Sequence, residues 1–167
     1  NLKDSHILIV APHADDEILG CGGLISRAKQ SGSKITVLLI NLEEEARKNE
    51  ALESAKYLDY NLISAPFSTN RDLNSDFSTK SFIDYMETQI NEFKPEVICI
   101  PSSNAHHQDH RFVAINSLVA LRPNGGTNRW RPNCILEWEY PGDVWFPGLE
   151  YTPSLFVSLN KKDLENK

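Results

Sequence analysis

Residues 9–17, IVAPHADDE, join an apolar run directly to a histidine and three acidic residues. Short, continuously apolar segments rich in β-branched residues are typical of strands buried on both faces of a parallel sheet. Acidic residues stabilise the amino end of a helix. The stretch therefore predicts a buried strand that turns into a helix. It also predicts ionisable side chains at the carboxyl end of the sheet, where open α/β folds place their sites.

A second cluster of ionisable residues has the same context. Residues 106–110, HHQDH, follow another apolar run at 97–100. Together the two clusters contain four of the five histidines of the chain. Their shared position after buried strands indicates that both belong to a site rather than to solvated surface.

The remaining pattern predicts an α/β fold of the Rossmann-like, doubly wound kind, in which a mainly parallel sheet carries helices on both faces. Strands are predicted at 7–10, 35–40, 62–65, 97–100, 134–138 and 155–159, and helices at 17–30, 43–58 and 82–93, with a further helix after the second cluster. Right-handed crossovers bring the ends of the first and fourth strands together at the switch point of the sheet. The two histidine clusters should therefore meet there. The stretch 138–153 is expected to be a long ordered loop.

Length and composition indicate one domain over residues 1–167. A net charge of -6 and a pI near 5.3 argue against a nucleic-acid partner, because phosphate binding needs clustered lysine and arginine. Since no apolar run approaches the roughly 20 residues of a membrane span, we expect a cytoplasmic protein. A homo-oligomer is left open. The cysteines Cys21, Cys99 and Cys134 lack metal-ligand or disulfide spacing and are expected to be buried small residues.

The residue types in the two clusters suit a metal. His13 and Asp16 lie at a strand-to-helix turn and can converge on one point, together with an imidazole from His107 or His110. Two histidines, a carboxylate and an open position form a catalytic zinc pattern. The mixed nitrogen and oxygen set also suits other divalent metals. Asp15, which cannot share the direction of Asp16, is a candidate base for a metal-activated water.

Simpler interpretations exist for each cluster alone. An acidic triplet at a helix start is often an N-cap with acids that complement the helix dipole. A His-Xaa-Asp-His stretch in a loop is often solvated surface. The occurrence of both clusters after strands whose ends the topology brings together favours a metal site instead.

At these residues the chain resembles the LmbE-like, or PIG-L, family of metal-dependent de-N-acetylases. The family signature pairs a Pro/Ala-His-Pro-Asp-Asp-Glu stretch after the first strand with a later His-Xaa-Asp-His. Residues 12–17, PHADDE, and 107–110, HQDH, match it, with Ala14 in place of the usual proline. The resemblance continues at 20–23, 47–50, 94–96 and 101–104.

The resemblance implies a zinc ion held by His13, Asp16 and His110, with Asp15 as the general base. It implies that His107 stabilises the oxyanion and helps to protonate the leaving amine. Asp109 would orient His107 or tune its charge, and Arg47 would contact the substrate.

The resemblance further implies a single de-N-acetylase catalytic domain over 1–167, with a carboxyl end and a segment before Arg47 that are shorter than is usual in the family. We expect a zinc-dependent hydrolase that removes an N-acetyl group from an amino sugar or amino-sugar conjugate, a small-molecule substrate. One alternative is a metal-dependent phosphoesterase, for which Arg47, Arg71 and Arg111 are the nearby cations. The other is a non-catalytic sugar- or nucleotide-binding module.

Overall fold

The computed structural model describes residues 2–41, 45–66, 73, 79–123, 129–139, 142 and 153–166. The strands are β1 His6–Ala11, β2 Lys34–Leu39, β3 Asn61–Ser64, β4 Val97–Pro101 and β5 Cys134–Trp138. The helices are α1 Asp16–Gln30, α2 Glu45–Leu58, α3 Thr79–Phe93, α4 Gln108–Ala120 and α5 Lys161–Asn166. The predicted long loop at 138–153 lies mostly outside the described residues.

The five strands form one parallel sheet in the order β3-β2-β1-β4-β5. β1 is central and pairs with β2 on one side and with β4 on the other. The chain changes direction across the sheet between β1 and β4, so the doubly wound fold is confirmed. The carboxyl ends of these two strands are the switch point where such sheets hold ligands.

The alternation of side chains along β1 divides the core into two layers. Ile7 and Ile9 pack in a cluster that includes residues of α1 and α2. Leu8 and Val10 face the opposite side, where α3 and α4 supply Phe82, Phe112 and other apolar side chains. All four β1 residues are fully buried. The central strand therefore needs apolar residues on both faces, which explains its continuous apolar run.

The predicted strand at 155–159 was wrong. These residues are irregular, and Leu155 and Phe156 are exposed. Instead of extending the sheet, the segment runs to α1, where Leu159 packs at Gly23 and α5 is anchored by a 2.8 Å hydrogen bond from Ser26 to Asp163. The apolar character of this stretch therefore predicted neither a strand nor burial, because residues 155–158 are exposed and only Leu159 is partly buried.

The cysteine prediction was right for two residues of three. Cys21 and Cys99 are buried, whereas Cys134 is exposed. Cys134 begins β5, the edge strand, which is mostly exposed along its length. Of the β5 residues, only Trp138 is buried and Leu136 is partly buried.

Among the described helices, none combines the length and the apolar character needed to cross a membrane.

Gly20 lets α1 approach the end of β5 closely. A Cβ atom built at this position would lie 2.3 Å from Cε3 of the Trp138 ring. That ring is 6 % exposed and meets the imidazole of His110 edge-on, with 5.6 Å between the ring centroids. The absence of a side chain at Gly20 thus allows Trp138 to lie against a histidine of the second cluster.

We expect Gly20→Ala to destabilise the fold by about 1–3 kcal/mol, because a rigid indole cannot give way to the added methyl group. Gly23→Ala is the matched control on the same helix. Its Cβ would meet the Leu159 side chain, mainly its two terminal carbons, and this side chain can rotate away. The helix propensity gain of about 1 kcal/mol should therefore offset the contact. Urea unfolding measures both changes. Equal losses for the two variants would contradict this account of Gly20.

Candidate metal centre

The turn after β1 is built around the first acidic pair. Asp15 is the N-cap residue of α1 and has a left-handed backbone, with φ 99° and ψ -27°. Asp16 begins the helix and is buried, and its Oδ2 accepts the backbone N–H of His13 at 2.9 Å. A left-handed non-glycine residue costs about 1–3 kcal/mol and persists only where its surroundings hold it. The turn is therefore a constrained conformation that presents His13, Asp15 and Asp16 together.

The turn after β4 presents the second cluster. His107 is the N-cap of α4, and its Nδ1 accepts the backbone N–H of Asp109 at 3.2 Å. The Arg111 guanidinium donates to the carbonyl oxygens of Ala105, at 2.7 Å, and of His106. Glu137 in β5 accepts the backbone N–H of Ser103 at 3.0 Å. Both ends of this loop are thus tied to neighbouring elements.

The two turns meet at the switch point. Asp16 Oδ2 lies 3.3 Å from Nδ1 of His13 and 3.1 Å from Nε2 of His110. The ring of His107 lies 4.9 Å from that of His13 and 5.3 Å from that of His110, measured between centroids. Nitrogens of the three histidines lie within 4.8 Å of one another. The residues predicted to share a site are therefore brought together, although about half of the chain separates them.

This donor set fits a zinc ion. Zn–N and Zn–O bonds of 2.0–2.1 Å in a tetrahedron separate the donor atoms by about 3.3–3.4 Å. The distances from Asp16 to His13 and His110 are close to this value. Asp16 and His110 are 2 % and 1 % exposed, whereas His107 is exposed, so the group opens to solvent on the His107 side. A buried carboxylate between two imidazoles can bind a divalent cation, and His107 offers a third nitrogen close by.

The Asp109 side chain contacts a different histidine from the one that the resemblance implies. Its Oδ2 lies 2.9 Å from Nε2 of His13, and its Oδ1 accepts the backbone N–H of Leu73 at 3.2 Å. Its link to His107 is through the backbone N–H. Metal-binding histidines commonly donate their other ring N–H to a carboxylate. The carboxylate of Asp109 is therefore placed to orient His13, and its effect on His107 stays a prediction.

The buried charges of the cluster shift its pKa values. Burial disfavours the imidazolium of His13, but hydrogen bonds to Asp109 and Asp16 outweigh it and raise the pKa of His13 to about 9. Burial likewise disfavours the Asp16 carboxylate, but hydrogen bonds to His110 and His13 lower its pKa to about 2. The pKa of His107 is lowered by burial and by the nearby His13.

Asp15 has the opposite shift from Asp16. Burial, and the negative charge of Asp16, raise its pKa, while the positive charge of Arg47 opposes the increase. Arg47 is exposed near the start of α2. A carboxylate with a raised pKa is a stronger base, as the prediction for Asp15 requires. Because the charge of Arg47 affects the pKa of Asp15, Arg47 lies close enough to be a residue at the rim of the site.

Some residues at the site were not identified as part of it from the sequence. Tyr60 donates its hydroxyl to the buried Glu17 at 3.0 Å, and Trp138 lies against His110. Glu17 stood in the motif but had only the signal of an acidic residue at a helix start. Tyr60 had no signal, and Trp138 was singled out only as the first residue of the predicted long loop, a kind of loop that often lines sites. The fifth histidine, His6, is elsewhere: its ring bonds to the Phe93 carbonyl and the Thr36 hydroxyl.

Comparison with known proteins identifies the family. The model of the PIG-L family, described as GlcNAc-PI de-N-acetylase, matches residues 8–120, which is more than half of the chain. The chain belongs to the PIG-L family. The matched range of this PIG-L protein includes both histidine clusters and ends with α4. No curated protein matches the chain.

Solved structures share the fold of this PIG-L protein. A conserved protein from Thermus thermophilus is 19% identical, with a TM-score of 0.73, over 97% of this chain and 74% of that chain. N,N'-diacetylchitobiose deacetylase from Pyrococcus horikoshii is 18% identical, with a TM-score of 0.71, over 97% and 68%. The 4-carboxy-2-hydroxymuconate hydratase of Pseudomonas putida is 16% identical, with a TM-score of 0.65, over 78% and 64%. These likenesses show the fold, which does not by itself determine a reaction.

The raised pKa of His13 predicts how the stability of the metal-free protein depends on pH. A pKa raised from 6.5 to about 9 adds stability that is complete below pH 6.5 and is lost as the pH rises through about 9. We therefore expect the Tm of chelator-treated protein to fall over this range, and His13→Asn to reduce the fall.

Added zinc should reverse this trend, because a metal-bound imidazole is neutral and zinc binding releases the proton. The increase in Tm on adding zinc should be larger at pH 9 than at pH 6.5. Thermal unfolding of parent and His13→Asn proteins across the range tests both statements. The same pH dependence in the two metal-free proteins would contradict the assignment to His13.

Proposed function

We propose that this protein is a zinc-dependent N-deacetylase that hydrolyses the acetamide of an N-acetylated amino sugar or amino-sugar conjugate. The observation that carries the proposal is the position of Asp16 between His13 and His110, beside Asp15, in a chain that belongs to the PIG-L family. A deacetylase of a sugar is among the proteins that share its fold.

In this proposal His13, Asp16 and His110 hold the zinc ion. When bound, zinc supplies Lewis acidity that polarises the acetamide carbonyl and makes water more acidic. The Asp109 carboxylate fixes the ring of His13 by its bond to Nε2, which leaves Nδ1 on the side of Asp16. The orientation of His13 is thus set by a partly buried hydrogen bond rather than by the metal alone.

Asp15 acts as the general base. Its carboxylate takes the proton of the attacking water as the oxygen–carbon bond forms at the acetamide carbonyl. The raised pKa of Asp15 suits this role, and the Asp16 carboxylate next to it is engaged by two imidazoles and is not free to compete. The adjacent aspartates therefore divide the tasks of base and ligand.

His107 acts at the carbonyl oxygen. Because its Nδ1 accepts the Asp109 N–H, the proton of the neutral ring is on Nε2. The lowered pKa of His107 favours this neutral form. An Nε2–H at the open side of the cluster can donate a hydrogen bond to the developing oxyanion. As the carbon–nitrogen bond breaks, the leaving nitrogen takes up the proton that Asp15 removed from the water, because the neutral ring of His107 has no second proton to give.

Phosphoester hydrolysis is less well supported. Arg111, one of the cations considered for phosphate, donates to two backbone carbonyl oxygens of its own loop. Arg71 lies outside the described residues. Arg47 is exposed and can contact an uncharged sugar as well as an anion. We assign Arg47 a substrate contact at the rim of the site.

The adjacent aspartates provide the sharpest test of this function. Asp15→Asn should keep bound zinc and lose about 10²–10⁴-fold in kcat, because an amide cannot accept the proton of water. Asp16→Asn should lower the zinc content itself. Elemental analysis of the purified proteins measures zinc, and release of acetate from a panel of N-acetylglucosaminyl conjugates measures turnover, with p-nitrophenyl phosphate as the control substrate.

Turnover of the phosphate ester, with no acetate released by zinc-loaded parent protein, would replace the proposed reaction with phosphoester hydrolysis. Loss of zinc from the Asp15 variant alone would exchange the roles of the two aspartates. Inactivity of the zinc-loaded parent protein toward both substrate types would contradict the proposed deacetylation of amino-sugar conjugates.

The adjacent histidines allow a second prediction. His107→Ala should lower kcat by about two orders of magnitude or more, as is typical when an oxyanion donor is removed. His106→Ala, the matched control, should leave kcat within a few-fold of the parent, because His106 contacts Arg111 through its backbone carbonyl, which the substitution keeps. Comparable losses of kcat in the two variants, with zinc content unchanged, would contradict the assignment of the catalytic role to His107 rather than His106.

A further inference from the structure

The backbone of Asp15 is in a conformation that its own side chain does not hold. Its φ is 99°, in the left-handed region, although N-cap residues usually have an extended backbone. The Asp15 side chain makes no capping hydrogen bond to α1. The carboxylate proposed as the base is therefore available for chemistry, but something else must keep the turn in this conformation.

Glu17 supplies that restraint. Its Oε2 accepts the backbone N–H of Asp15 at 3.1 Å, across the turn. The side chain is 1 % exposed and lies in the first turn of α1, where the helix dipole favours negative charge. The left-handed residue thus has its N–H bonded to a buried carboxylate rather than to water.

Tyr60 holds the other oxygen of the same carboxylate. The Tyr60 hydroxyl donates to Glu17 Oε1 at 3.0 Å, and Tyr60 is 7 % exposed. The Tyr60 backbone N–H bonds to the carbonyl oxygen of Ala55 at 3.0 Å, so the tyrosine is fixed to the end of α2. A continuous chain of hydrogen bonds therefore joins α2 to the backbone of Asp15.

We propose that Glu17, anchored by Tyr60, is a positioning residue that aims the Asp15 carboxylate at the reacting water. This inference rests on the proposed function of Asp15. It assigns the third acidic residue of the motif a task separate from metal binding: Glu17 stabilises the backbone conformation of the base. It also assigns a task to Tyr60, which lies outside both histidine clusters.

An ordinary acid at a helix start would behave differently. If Glu17 only stabilised α1, its loss would lower stability and would act on every activity of the protein alike. A positioning role acts through Asp15, so its effect should disappear when Asp15 can no longer serve as a base.

The test is a double-mutant cycle on zinc-loaded protein. Glu17→Met keeps the length of the side chain and removes both acceptor oxygens. We expect kcat to fall by about 10–100-fold, as misplacement of a catalytic group does, with KM and zinc content unchanged. In the Asp15→Asn background Glu17→Met should lower the residual rate no further.

Conservative variants refine the cycle. Glu17→Gln keeps one acceptor oxygen for the Asp15 N–H and should recover most of the kcat lost in Glu17→Met. Tyr60→Phe removes the anchor and should lower kcat less than Glu17→Met. Tyr57→Phe makes the same chemical change at an exposed tyrosine of α2 and should not alter kcat. If Glu17→Met does not fold, Tyr60→Phe takes its place in the cycle with Asp15→Asn.

Two controls separate positioning from stability and from the proposed function. Ser26→Ala removes a buried hydrogen bond from the same helix and should lower Tm without changing kcat. Hydrogen exchange of the Asp15 amide, followed by NMR, reports the Glu17 bond without any activity and should become faster in Glu17→Met.

An equal fold-loss from Glu17→Met, or from Tyr60→Phe in its place, in the parent and Asp15→Asn backgrounds would overturn the positioning role. Unchanged exchange of the Asp15 amide would overturn the hydrogen bond on which it rests. Absence of acetate release from the zinc-loaded parent would instead overturn the proposed function, and the exchange measurement would still decide whether Glu17 holds the turn.

Discussion

The parallel pairing of β1 with β4 is the constraint on which the site depends. Ile7 lies opposite Val97 and Ile9 opposite Cys99, so the two strands end side by side. Each strand is apolar at its carboxyl end, and ionisable residues begin two residues after β1, at His13, and five residues after β4, at His106. Because the register fixes both turns relative to each other, Asp16 on one side reaches His110 on the other at 3.1 Å. A shift of one residue along β4 would move every side chain of that strand to the opposite face.

The cluster buries more negative charge than a folded core accepts without compensation. Asp16 and Asp109 are almost fully buried, and both carboxylates contact His13. In the metal-free state this arrangement is stabilised by a protonated His13, which the increase of its pKa to about 9 reflects. A divalent cation would supply the same compensation with the imidazoles neutral. A protonated His13 and a divalent cation are thus alternative ways to balance these carboxylates, and a higher pH favours the cation.

The three consecutive acidic residues of the first turn differ in their surroundings, although they are similar in residue type. Asp16 points to the imidazoles, Asp15 keeps a raised pKa beside Arg47, and Glu17 turns back into the protein toward Tyr60. Asp15, whose backbone is left-handed, stands directly before Asp16 and Glu17 in the turn. On α4, the N-cap position of His107 leaves its ring at the open side of the cluster while His110 is buried one turn later.

The sequence by itself determined the elements that burial controls. The apolar runs of β1, β2 and β4 had to be buried on both faces, and this predicted a parallel sheet, its switch point and the meeting of the two histidine clusters. It also predicted which residue types would gather there. Only the tertiary structure decided which groups became partners: the side chain of Asp109 bonds to His13, Glu17 bonds to Tyr60, and Trp138 covers His110. It also decided that 155–159 leaves the sheet and that Cys134 is exposed. The physical reason is that hydrophobic periodicity reports whether a segment is buried, whereas the partner of a polar side chain depends on strand register and backbone direction, which distant segments set together.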